Sequence, residues 1–194
     1  KTRIKSKIGY KERDFVTLFV GKLHPCKDPL TLIRSISRAV EKNPNLFLII
    51  VGDGELYEEV KKEVITRNLL RWVKILRQAT SKKVKTLYNV ADVFVLPSVG
   101  EAFGMTLLEA MASGVPVIAS DSGASPEVIG NAGILFDQGK YTELAEKILS
   151  LSYNKELSRK LSEAGRKRVK ETFSWEDKIK QYLRLYKNTM ARGI

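Results

Sequence analysis

Short runs of consecutive apolar residues alternate along this chain with longer segments whose apolar positions recur three and four apart. The apolar runs at 15–20, 46–51, 72–76, 93–96, 115–119 and 133–136 predict six strands. They are apolar at successive rather than alternate positions, the mark of strands buried on both faces. Between them the helical period predicts helices over 29–40, 55–67, 81–89 and 105–112, the last stopped by Gly114. Beyond Asp137 only the helical period continues, over 141–150, 155–171 and 175–189, with Asn154 and Ser174 in N-cap positions for the last two. The residues before Phe15 carry no strand pattern.

A β-α-β-α succession with buried strands implies a parallel sheet covered by helices on both faces, and the expected fold is one Rossmann-like α/β domain of about six strands with a helical C-terminal tail. In such sheets ligands bind beyond the carboxyl ends of the strands. The loops there are 21–28, 52–54, 77–80, 97–104 and 120–124.

Composition narrows the function classes. The chain has 194 residues, 43% of them hydrophobic, enough for one well-buried domain. The single Cys26 excludes an internal disulfide framework, and no Cys/His spacing suggests zinc. No apolar run has the length of a membrane span and no leader-like segment opens the chain, so a cytoplasmic protein is expected, with peripheral contact at the inner membrane face left open. The net charge of +12 raises nucleic acid as a partner. Yet the basic excess in 155–170 is interleaved with acids at helical spacing, which reads as a solvated helix face. No aromatic side chains punctuate it as a stacking platform would require, so nucleic acid is not expected.

The chemistry concentrates in 98–109. Glu101 and Glu109 lie eight positions apart, separated by a Gly-containing turn that opens an apolar helix directly after a strand. Strand, turn and helix aim backbone N–H groups and a positive helix end at an anion. A carboxylate on either side of that anion suits a ligand with hydroxyls at both ends of a phosphate group, as in a nucleotide sugar. On pattern alone Glu101 also reads as a cap of the helix. Glu109 also reads as half of a capping box with Thr106. Gly52-Asp53-Gly54 lacks the third glycine of a dinucleotide fingerprint, Tyr57 standing in its place, so NAD is not expected. His24, without an acidic neighbour in sequence, reads as inert or as a tuner of a phosphate contact.

The stretch from Glu101 to Val117 resembles the Glu-x7-Glu motif of retaining GT-B glycosyltransferases of family 4. Further resemblances follow in family order at Gly21-Lys22-Leu23, Lys27, Val51-Gly52-Asp53-Gly54, Ala91-Asp92-Val93, Pro126-Glu127 and Phe173-Ser174-Trp175. The resemblance implies the C-terminal, donor-binding domain over 1–194, with the N-terminal acceptor domain outside the chain. It implies hexosyl transfer from a nucleotide-diphosphate sugar to an acceptor hydroxyl with retained anomeric configuration. No cofactor or metal is implied, and the isolated domain is expected to be inactive.

Residue by residue, it implies that Gly21, Lys22 and Lys27 hold the diphosphate, with Phe103, Gly104, Met105 and Thr106 presenting the helix start to it. Glu101 would position the donor sugar, Glu109 the ribose hydroxyls, and Gln78 and Ala79 the base edge. Gly52 would make room for the nucleotide. Three positions depart from the pattern: Lys22 stands where the family has Arg, Arg77 where it has Gly, and Ala102 where Gly is common. A non-catalytic nucleotide-sugar-binding module or partner subunit, and sugar-nucleotide epimerisation, would use the same pocket.

Overall fold

The structure, a computed structural model, describes residues 2–191. Six strands, β1 (Phe15–Val20), β2 (Leu46–Val51), β3 (Val73–Leu76), β4 (Val93–Leu96), β5 (Val117–Ser120) and β6 (Ile134–Phe136), form one sheet in the order β3-β2-β1-β4-β5-β6. Every pairing is parallel, and β1 and β2 run in register from Phe15 opposite Leu46 to Val20 opposite Val51. The helices are α1 (Thr2–Lys7), α2 (Pro29–Lys42), α3 (Tyr57–Thr66), α4 (Ser81–Val90), α5 (Met105–Ala112), α6 (Ser125–Ile129), α7 (Tyr141–Tyr153), α8 (Lys155–Thr172) and α9 (Trp175–Ala191). Helices α2, α3 and α7 pack together on one face; α5 and α8 pair on the other, where α1 lies against α4. The apolar runs account for this arrangement, because Leu18, Phe19, Leu48, Ile49, Phe94 and Val95 are all buried, whichever face each side chain takes.

Strand order reverses between β1 and β4. Moving from β1 the chain winds outward through β2 to β3, then returns by α4 to the opposite side. At such a switch point the loops after the two central strands diverge to opposite faces and leave a crevice.

Helix α5 closes with the hydrogen bonds Gly114 N to Met111 O at 2.9 Å and Val115 N to Ala110 O at 2.9 Å, with Gly114 at φ +72°. This is the Schellman pattern, and the left-handed backbone explains why glycine stands there. Two carbonyls near helix ends receive side chains from α8: Arg166 Nη2 donates to Ser113 O at 3.2 Å, and Arg168 Nε donates to Val128 O at 2.7 Å. Arg159, Lys160 and Lys167 pair with acids on their own helix, as the solvated-face reading expects, while Arg166 and Arg168 also reach carbonyls outside it.

Four short segments add to the sequence reading. Helix α1 forms where no element was expected, pinned by Lys5, whose Nζ donates to Asp92 Oδ2 at 2.5 Å and to Asp14 O at 2.6 Å. Helix α6 and the 3₁₀ turns Pro25–Lys27 and Gly130–Ala132 are too short to carry a period. Asn154 caps α8 as expected, its side chain accepting from Leu157 N at 2.9 Å. The apolar set of α9 is broader than one docking face needs, which predicts that part of it lies exposed, and it does. Ile179, Tyr182, Leu183, Leu185 and Tyr186 are exposed, and Trp175 and Met190 are 77% and 79% accessible. No helix among the described residues is long and apolar enough to cross a membrane.

Candidate functional site

The five loops beyond the strands' carboxyl ends line one edge of the sheet, and two of them carry Glu101 and the two predicted lysines. Lys27 enters from the 3₁₀ turn after β1, and its Nζ donates to Glu101 Oε2, from the loop after β4, at 2.5 Å. The same two loops are joined by Val99 N donating to Cys26 O at 2.7 Å. Burial pushes the Glu101 carboxyl up, but the hydrogen bond and charge of Lys27, with the Gly104 N–H, outweigh it and hold the group below the usual carboxylate range. The loop after β5 braces this arrangement: Ser120 Oγ donates to Ser98 O, Gly100 N donates to Ser122 Oγ at 3.0 Å, and Ala124 N donates to Glu101 O at 2.8 Å.

Gly104 is buried at φ +83° and forms the N-cap of α5, with no side-chain cap. The intrahelical bonds begin with Leu107 and Leu108 donating to Gly104 O, so Met105 and Thr106 carry the first unsatisfied N–H groups of the helix. Phe103 and Met105 are exposed beside that helix start. Phe103 meets Phe173, at the end of α8, edge-on with ring centroids 6.2 Å apart.

Glu109 lies one turn on, exposed, and makes no capping box with Thr106. Its Oε2 instead accepts from the Tyr88 hydroxyl of α4 at 2.9 Å. Burial, then the charge and hydrogen bond of Glu109, push the Tyr88 phenol up, so it stays a donor. Together they line a cavity of about 310 Å³ with Ala79, Ser81, Val84, Lys85 and Ser113. The cavity thus brings together the carboxylate and one of the two residues expected at a base edge. Gln78 is exposed next to it and does not line it. Sequence reasoning missed Tyr88, Lys85 and Ser81. The one available signal was Tyr88 one position after Leu87 on the apolar face of 81–89.

Gly21 and Lys22 follow β1, Lys22 exposed. Gly52 does not hold space for a ligand, because a Cβ there would stand 1.9 Å from the Gly21 carbonyl oxygen. The glycine serves backbone-on-backbone packing between the loops after β1 and β2. Gly54 does the same against Leu23 O, at 2.4 Å. Arg77 turns away from the cavity: its Nε lies 3.0 Å from Asp53 Oδ2, and its guanidinium sits 4.6 Å from the centre of the Tyr57 ring. His24 has an acidic partner after all. Its Nε2 lies 3.3 Å from Glu55 Oε1, while Nδ1 accepts from Cys26 N at 3.2 Å and caps the 3₁₀ turn.

The family model described as glycosyl transferases group 1 matches residues 1–168. An uncharacterized glycosyltransferase of Methanocaldococcus jannaschii is 33% identical over 94% of this chain and 51% of its own length. The N-acetyl-alpha-D-glucosaminyl L-malate synthase of Bacillus anthracis is 30% identical over 95% of this chain and 48% of its own. The chain spans about half the length of these curated relatives. Among solved structures, sucrose-phosphate synthase from Thermosynechococcus elongatus aligns with TM-score 0.85 at 26% identity, over 100% of this chain and 50% of that one. Anabaena HepE, solved in complex with UDP and glucose, aligns with TM-score 0.87 at 22% identity over 96% of this chain and 52% of that one, which speaks for the fold alone.

Proposed function

Because this chain belongs to the glycosyl transferases group 1 family, we propose that it is the donor-binding half of a retaining hexosyltransferase that uses a nucleotide-diphosphate sugar. One observation carries the reading. The Lys27–Glu101 pair stands at the switch point beside the start of α5, with the Glu109 cavity on the same edge of the sheet. A ligand crossing that edge would meet a carboxylate, then cations and helix N–H groups, then a second carboxylate. A sugar, a diphosphate and a ribose present hydroxyls, negative charge and hydroxyls in that order.

In this reading the bond between the anomeric carbon and the diphosphate oxygen breaks while the acceptor hydroxyl oxygen bonds to that carbon and its proton passes to the leaving diphosphate. The leaving diphosphate gains negative charge, which Lys22, Lys27 and the α5 dipole stabilise where it develops. Such a leaving group needs no general acid, and the site requires no resident metal. Lys22 in place of Arg contributes a point charge rather than a two-pronged contact. Glu101 positions and stabilises the sugar. The HepE complex with UDP and glucose supports the ligand class. The acceptor contacts would come from a preceding domain, and the exposed α9 is the surface it would cover, so the isolated domain would bind donor without turnover. Cytoplasmic placement and contact with a membrane face belong to this reading as well.

The test is thermal melting with UDP, GDP and ADP and their sugar conjugates. A ligand at 100 times its Kd adds about 2.7 kcal/mol of stability, so at least one series should raise the melting temperature, with EDTA leaving the rise intact. No shift at millimolar concentration in any series would remove the proposal.

A further inference from the structure

Tyr88 has a role that its burial does not explain. Its ring is 3% exposed and packs against Phe94 with centroids 5.8 Å apart. Its hydroxyl reaches out of the core to Glu109 Oε2 at 2.9 Å, whereas the backbone alternative, Thr106 O, lies farther off at 3.4 Å. Glu109 is exposed, so water would satisfy its carboxylate without help. What the phenol adds is orientation. A carboxylate on a free Glu side chain samples several rotamers, but one tied at Oε2 to a ring fixed in the core presents its plane in one direction. Both residues line the same cavity.

We propose that Tyr88 is the positioning residue of the nucleotide site, setting the Glu109 carboxylate so that it receives the adjacent hydroxyls of a nucleotide ribose. This rests on the donor-binding reading given above. A vicinal diol needs two acceptor positions at fixed spacing, and a carboxylate supplies them only when its plane faces the diol. Holding the plane before the ligand arrives removes part of the ordering cost of binding. Tyr88 acts through Glu109, so its effect is on affinity and on ribose selectivity.

The experiment titrates the chain with the nucleoside diphosphate that gives the largest melting shift, and with its 2′-deoxy and 3′-deoxy forms. The variants are Tyr88→Phe, Glu109→Ala and both together. Tyr88→Phe keeps the ring and removes only the hydroxyl, so it should melt close to the parent. It should lose affinity for the ribonucleotide by about tenfold, the scale of one hydrogen bond to a charged group. It should also lose most of the discrimination against the deoxy forms, which a merely structural tyrosine would not affect. In the Glu109→Ala background the same change should cost nothing further. Unchanged selectivity in Tyr88→Phe, or a loss that adds fully to that of Glu109→Ala, overturns the positioning role while leaving the donor reading standing. Failure of the parent chain to bind any nucleotide overturns both.

Discussion

Lys27 and Glu101 neutralise each other at 2.5 Å across the switch point, the cation expected on a diphosphate holding the carboxylate expected on a sugar. The two side chains are 25% and 11% exposed, so neither is fully hydrated and each depends on the other. A diphosphate arriving at Lys27 competes with Glu101 for it. Glu101→Gln should therefore leave the affinity for free nucleoside diphosphate unchanged or improve it. Lys27→Ala should weaken it by roughly tenfold or more, the loss of one charge-assisted contact. Titration calorimetry of the two variants measures both, and a loss in Glu101→Gln equal to that in Lys27→Ala would contradict the competition.

The same pair sets a pH dependence. Glu101 is held below its ordinary value of 4.5. Its contribution to stability is therefore complete above about that value and is lost as pH falls through the lower folded-state value. Melting temperatures of the parent and of Glu101→Gln, compared between neutral pH and acid, should differ most at neutral pH and converge in acid. A gap that widens in acid would mean that the carboxyl is raised instead.

The two glutamates should separate by what they lose. Glu109→Ala should weaken free nucleoside diphosphate, having removed a ribose acceptor, while Glu101→Ala should spare it and depress turnover once an acceptor domain is present. Binding by calorimetry and turnover by product formation read the two effects independently. Equal loss of nucleotide affinity in both would make the pair structural.

Gly52 should tolerate nothing larger. Its Cβ position lies 1.9 Å from the Gly21 carbonyl oxygen, and backbone cannot swing aside as a side chain can. Gly52→Ala should cost more than about 3 kcal/mol in denaturant melts, beyond the range of most single substitutions. Gly139→Ala meets nothing within 4 Å and carries only the strain of φ +76°, so about 1–2 kcal/mol is expected there. Comparable costs at the two positions would refute the close approach.

The sheet was legible because strands buried on both faces are apolar at every position, and all six appeared within a few residues of where the runs stand. The chemistry of the loop after β4 was legible because turn, helix start and both carboxylates are close in sequence. What escaped was set by contacts distant in sequence. Tyr88 meets Glu109 across β4, His24 meets Glu55 across β2, and Arg166 and Arg168 reach carbonyls of Ser113 and Val128. Lys5 is buried because Asp92 and a backbone carbonyl receive it, and no local pattern announces a buried lysine. Gly52 was read as room for a ligand because the sequence does not disclose which backbone lies opposite. The exposed face of α9 was legible because its apolar set is broader than one domain surface needs.

The most direct measurement is a map of where a nucleotide touches the chain. In an amide-resolved NMR titration with a nucleoside diphosphate, the residues that shift should be those of one edge of the sheet: Lys22, Lys27, Gly104, Met105 and Thr106 for the diphosphate, Ala79 and Glu109 for the nucleoside. The cavity at the opposite edge, lined by Lys5, Arg13, Asn43 and Lys155, should stay unperturbed. Shifts centred on that opposite cavity, with the α5 start silent, would contradict a donor site at the switch point.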